Sequence, residues 1–221
     1  QRAKLLGFKN HAEWRMQDTM AKTPAAAEDL MQRVWAPAKA RVAEEVADMR
    51  AIAGHDIEPW DYLYYAEKVR KQKYDLDQNQ LKPYFELHNV RAGSFYMAER
   101  LYGFTFERLA PGTVPVFHED VVVYEVKDHG KPVGLFYADW FARPTKRPGA
   151  WMNSIRVPNG LLGESPIVVN NQNITRPAAG ERALISLDEA QTLFHEFGHG
   201  LHGLLSTAHY PSLSGTAVSR D

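Results

Sequence analysis

The stretch from Ser186 to Ser206 constrains this chain more than any other. Ser186-Leu187-Asp188-Glu189 reads as a capping box. It has a hydroxyl at the cap, a glutamate three residues on, and carboxylates in the first turn, where the helix dipole favours negative charge. A helix is expected from Leu187 to about Ser206. Gly198, Gly200 and Gly203 fall inside it, and each costs about 1 kcal/mol relative to alanine. A helix that keeps them needs either close packing against another element or room beside it for a metal site. The two readings are compatible, and packing is the favoured one.

Within this helix, His195-Glu196-Phe197-Gly198-His199 forms an HExxH pattern. Positions four apart on a helix differ by about 40° around the axis and about 6 Å along it. Both imidazoles therefore reach one point beside the helix, as zinc ligation requires. Glu196 lies about 100° round from His195, so it flanks a metal instead of binding it. There it can take a proton from the attacking water and pass it to a leaving amine. His202 is on the same face, but about 10.5 Å further along the axis than His195. It is read as supporting or packing, and His209 as polar surface.

The chain has no cysteine. Disulfides and thiolate ligands are excluded, so a zinc site must use His, Asp or Glu. The 26 Lys and Arg balance 27 Asp and Glu, giving a net charge of −1; that argues against a protein held to nucleic acid by bulk charge. No apolar run reaches the roughly 18 residues of a membrane span. The N-terminal QRAKLLGFKN lacks the apolar core of a secretory signal. A cytoplasmic location fits these features. The start at Gln1 and the end at Asp221 in a small, polar stretch suggest a piece of a longer protein.

The expected fold is mainly α with a small antiparallel β-sheet, an α+β arrangement. Residues 1–110 read as a helical region. Thr23-Pro24 caps a helix that Gly54 closes, with Pro37 expected to kink or divide it. Further helices are expected from about Pro59 to Tyr74 and from about Pro83 to Tyr102. Residues 111–221 read as the sheet plus the HExxH helix. VVVYEV (121–126) and GLFYADWFA (134–142) flank a turn-rich loop and suggest a hairpin, and IVVNNQNIT (167–175) is a third strand. The Pro- and Gly-rich stretch 143–166 reads as loop.

Two imidazoles do not complete a zinc site. Glu164, Asp139, Glu181 and Asp221 are third-ligand candidates by residue type alone. Arg143, Lys146, Arg147 and Arg156 are candidates for recognising a free carboxylate, with solvated surface charge as the simpler reading of each.

FHEFGHGLHGLL (194–205) resembles the M3 family of zinc metallopeptidases. LFYADWFARPTKRPGAWM (135–152), NQNITRP (171–177), LSGTAVSRD (213–221), PYFELHNV (83–90) and AERLYGFTF (98–106) resemble it too, so the similarity covers essentially the whole chain. HGLHGLL followed by YPSLSGT is most similar to the peptidyl-dipeptidase branch. The resemblance implies a partial zincin-like catalytic domain. It implies that His195 and His199 bind zinc and that Glu196 is the catalytic glutamate. The family's third ligand is a glutamate that counting places a few residues past Asp221. Zinc would then be held weakly here, and the piece would be inactive on its own. Apolar helix faces left bare would favour self-association. The activity implied for the intact protein is zinc-dependent hydrolysis of oligopeptides, with release of C-terminal dipeptides. Alternatives are an endopeptidase like oligopeptidase A, a non-peptidase zinc hydrolase, or a non-catalytic helical binding domain.

Overall fold

A computed structural model of the protein describes residues 1–75 and 78–218. They fall into two compact units, one within residues 1–77 and the other spanning Gln78–Val218.

The first unit is helical: α1 (Arg2–Leu5), α2 (His11–Met16), α3 (Pro24–Ala53) and α4 (Tyr62–Tyr74). The Thr23 hydroxyl accepts from the Ala26 N–H at 3.2 Å, and Gly54 closes α3 at φ +75°. The expected division at Pro37 does not occur. Helix continues through it for all thirty residues of α3, with good helix formers on both sides. Beyond Pro37, α4 is tied to α3 by the Lys73–Asp48 ion pair and by Tyr62, whose hydroxyl donates to Glu45 at 3.5 Å. On α3, Leu30, Met31, Val34 and Trp35 remain exposed.

The second unit opens with α5 (Gln78–Leu81), a 3-10 turn at Lys82–Tyr84 and α6 (Leu87–Tyr102). The helix expected from Pro83 begins four residues later. Leu87 donates to the Ala183 carbonyl at 2.8 Å and Ile185 to the Phe85 carbonyl at 2.9 Å, which holds this backbone against residues 183–185. Then follow β1 (Phe104–Arg108), β2 (Val122–Asp128), β3 (Lys131–Phe141), β4 (Trp151–Arg156), β5 (Ile167–Ile174) and α7 (Leu187–Leu205). The α+β class holds. Two strands lie where none was expected: β1 inside the helical stretch 1–110, and β4 inside the loop stretch 143–166. Neither shows a long alternating pattern, and each sits at an edge of the sheet.

The sheet order is β1-β2-β3-β5-β4. It is mixed, not wholly antiparallel as expected, because β5 runs parallel to β3. The loop after β3 carries the chain across the width of one strand, so β5 inserts between β3 and β4. Both faces are covered. Tyr124, Val126, Phe136, Ala138 and Val168 belong to the core under α6 and α7. Val121, Val123, Tyr137 and Val169 pack on the other face with Leu109 and Val114. Burial on both faces explains why the strands read as near-continuous apolar runs. Phe136 meets Phe197 of α7 edge-on at 5.6 Å, and Phe95 of α6 stacks on Phe106 of β1 at 4.1 Å. Burying rings of this size stabilises by about 1.5–3 kcal/mol each and fixes both helices on one face of the sheet.

Candidate active site

The helix that bears HExxH begins as its sequence demands. The Ser186 hydroxyl accepts from the Glu189 N–H at 3.1 Å, and the Glu189 carboxylate accepts from the Ser186 N–H at 2.7 Å. Its sheet-facing side is set by glycines. A Cβ on Gly200 would lie 2.9 Å from Asn170 Oδ1 and 3.3 Å from Phe136 Cε2; one on Gly203 would lie 2.8 Å from Val168 Cγ1 and 3.0 Å from Met152 Cε. Both positions therefore serve close packing of α7 on β3, β4 and β5. Gly198 has nothing within 4 Å and faces open space. The packing reading thus holds at Gly200 and Gly203 and not at Gly198.

The flank of α7 beside that packed face carries the histidines: Gly203 is four residues from His199, about 40° round the axis. His195 Nε2 and His199 Nε2 lie 3.1 Å apart, with ring planes at 86°. Two nitrogens held about 2.05 Å from one tetrahedral ion would be about 3.3 Å apart. The separation of the two nitrogens is thus close to that of two ligands on one cation, and both rings are exposed. Without a cation, one Nε2 can donate a hydrogen to the other. Glu196, next to His195 in the chain, is 8 % exposed. Among the described residues no third His, Asp or Glu joins the pair. His202 is exposed and is no part of such a group. His209 is exposed, as expected of polar surface, and its backbone and ring lie within about 3 Å of the Cβ position at Gly160.

The carboxylates named as third-ligand candidates are elsewhere or otherwise engaged. Asp139 is fully buried. It accepts two hydrogen bonds from Arg143, at 2.8 and 2.9 Å, and pairs with Lys146 at 3.0 Å. Burial pushes its carboxyl up, but the hydrogen bonds from Arg143 and Lys146 outweigh this and hold it below the usual carboxylate range. Glu164 accepts from Asn159 Nδ2 at 3.2 Å, Glu181 is exposed, and Asp221 lies outside the described residues.

Of the basic candidates, Arg147 and Arg156 are exposed, as solvated surface charge would be, while Arg143 and Lys146 are not. Arg143 and Lys146 are spent on Asp139. Arg147 lies over the Trp151 ring at 5.0 Å. Arg156 donates to the Ser165 carbonyl at 2.7 Å. Sequence reasoning missed the polar face of β5 beneath α7, where Asn170 is 1 % exposed and neither polar atom of its side chain finds a hydrogen-bond partner. Its signal was the polar run NNQN inside an otherwise apolar strand.

The model of peptidase family M3 matches residues 1–221. The chain belongs to this family. It is 46 % identical over 229 residues to the dipeptidyl carboxypeptidase of Escherichia coli, covering 100 % of this chain and 33 % of that protein. It is 45 % identical to the dipeptidyl carboxypeptidase of Salmonella typhimurium, covering 99 % of this chain and 33 % of the relative. Identity to the oligopeptidase A of Escherichia coli is 36 %, over 96 % of this chain and 32 % of that protein. This M3 chain thus spans about a third of the length of the relatives it matches. No helix among its described residues is long and apolar enough to cross a membrane.

Proposed function

We propose that this chain is part of a zinc-dependent peptidase that hydrolyses oligopeptides and releases dipeptides from their C-termini. The observation that carries the reading is the convergence of His195 Nε2 and His199 Nε2 on one exposed turn of α7, in a chain of peptidase family M3. The higher identity to dipeptidyl carboxypeptidase than to oligopeptidase A favours dipeptide release over internal cleavage.

His195 and His199 hold the zinc through Nε2. When bound, zinc supplies a Lewis acid that polarises the scissile carbonyl and eases ionisation of water. The Glu196 carboxylate accepts the proton of the attacking water and returns it to the leaving amine. Strand β4 pairs with β5 alone among the described strands, so its other edge presents unpaired N–H and C=O groups. An extended peptide can add there as a further strand. The third ligand is the glutamate that the family resemblance places past Asp221. The exposed stripe on α3 supports self-association of the 221-residue chain held alone, which sedimentation at rising concentration checks.

The deciding experiment is Glu196→Gln in the whole protein, assayed on unmodified and C-terminally amidated peptides. Turnover is expected to fall by about 10²–10⁴-fold with the fold retained, and the unmodified peptide should be the better substrate of the parent. Unchanged turnover would overturn the catalytic reading and favour a helical binding domain.

A further inference from the structure

The loop between β3 and β4 is fastened from both ends, and the fastening converges on the start of the edge strand. At the β3 end, Lys146 is 2 % exposed. Its ammonium donates to the Asp139 carbonyl at 2.8 Å and the Phe141 carbonyl at 3.1 Å, besides pairing with the Asp139 carboxylate. Arg143 grips the same carboxylate with two parallel hydrogen bonds. At the β5 end, the Asn173 carboxamide donates to the Arg147 carbonyl at 2.8 Å and the Gly149 carbonyl at 2.6 Å. Gly149 adopts φ +88°, a turn conformation that glycine takes without strain. Two residues later, Trp151 opens β4 beneath the Arg147 guanidinium.

So much polar investment in one surface loop calls for a reason. A connecting loop needs few buried ionic contacts for stability alone, and a buried ion pair is often no more stabilising than apolar residues in its place. What these contacts do fix is a geometry. β4 is paired on one side only, and its Met152 meets the Gly203 position of α7, one helical turn from His199. The height of β4 over α7 sets how far a strand added at its free edge sits from the His195–His199 pair.

We propose that Asn173, together with the Asp139–Arg143–Lys146 ion cluster, positions the edge strand β4 so that an extended peptide added along it lies in register with the histidine pair. This deepens the peptidase reading and rests on it. These four are positioning residues: none touches substrate, and each acts through the loop 142–150. Loosening the clamp weakens productive binding of an extended substrate while the proton-transfer machinery on α7 is left as it was.

The test uses Asn173→Ala in the whole protein, with Lys146→Met as a second variant in case either one folds poorly. Two readouts are taken: hydrogen exchange of the backbone amides of residues 147–156, and the separate values of KM and kcat on an unblocked oligopeptide. The expected result is faster exchange across 147–156 with α7 unchanged. KM should rise about tenfold and kcat change less than threefold. Unchanged exchange overturns the clamp whatever the activity. Faster exchange with KM unaltered, or with kcat falling only in proportion to the folded fraction, overturns the positioning role. Should Glu196→Gln leave turnover intact, the peptidase reading fails, while the exchange result still decides whether the clamp exists.

Discussion

His199 Nε2 stands 3.1 Å from His195 Nε2, across one turn of α7. The first prediction follows from the donor set. Two neutral imidazoles on one helix give an open site of low charge, and among the described residues no carboxylate completes it. The 221-residue chain alone is expected to bind zinc with a Kd weaker than about 1 µM at pH 7. His199→Ala should weaken this by at least about tenfold, since one of two ligands is lost. Isothermal titration in chelator-free buffer measures both. A submicromolar Kd would mean that another carboxylate fills the site.

The glycines of α7 yield a second prediction with opposite signs along one helix. At Gly198 a methyl group meets nothing within 4 Å, so Gly198→Ala is expected to stabilise by up to about 1 kcal/mol through helix propensity. At Gly203 the same methyl would lie 2.8 Å from Val168 Cγ1. Valine is stiff at χ1 and is held in a strand, so it cannot yield cheaply. Gly203→Ala is expected to destabilise by about 1–3 kcal/mol. Urea unfolding midpoints of the two variants should move in opposite directions; movement in the same direction would show that the packing surface is misread.

Legibility from sequence tracked how local each cause is. The α7 capping box, the Thr23 cap and the Gly54 close all depend on residues within one turn, and each was readable as it stands. The convergence of His195 and His199 needs only the helical repeat. What escaped was set by partners far along the chain. The six residues of β4 form a strand because β5 lies beside them, and α6 starts at Leu87 because residues 183–185 hold the backbone before it. Asp139 was a partial signal. A carboxylate in the middle of YADWF, inside a strand, requires a buried cation. Both cations lay within the next seven residues, but no helical or strand period connects them to it.

A third prediction concerns the start of α7. Ser186 and Glu189 each satisfy an N–H of the other's backbone. Ser186→Ala removes one of these bonds and is expected to cost about 1 kcal/mol. Glu189→Gln keeps the hydrogen-bonding reach but loses the charge that favours the positive end of the dipole, a smaller loss of about 0.3–1 kcal/mol. Thermal unfolding ranks the two. Equal losses would mean that charge, not the reciprocal bond, holds the helix start.

The fourth prediction concerns acid stability. Asp139 is held below the ordinary carboxylate range by Arg143 and Lys146, so the folded chain binds its proton less readily than the unfolded chain does. Such a group contributes stability that is fully present above the unfolded value, about 3.9. The contribution is lost as pH falls through the lowered folded value. Asp139→Asn leaves Arg143 and Lys146 without their counter-charge and is expected to cost about 3–5 kcal/mol near neutral pH. Once the parent carboxyl is protonated it is close to an amide in charge and shape, so the gap between parent and variant should narrow steadily below about pH 4. Denaturant titrations from pH 7 down to the acid limit of the fold measure this gap. A difference that stays constant with pH would mean that the Asp139 ion cluster contributes through packing and not through charge.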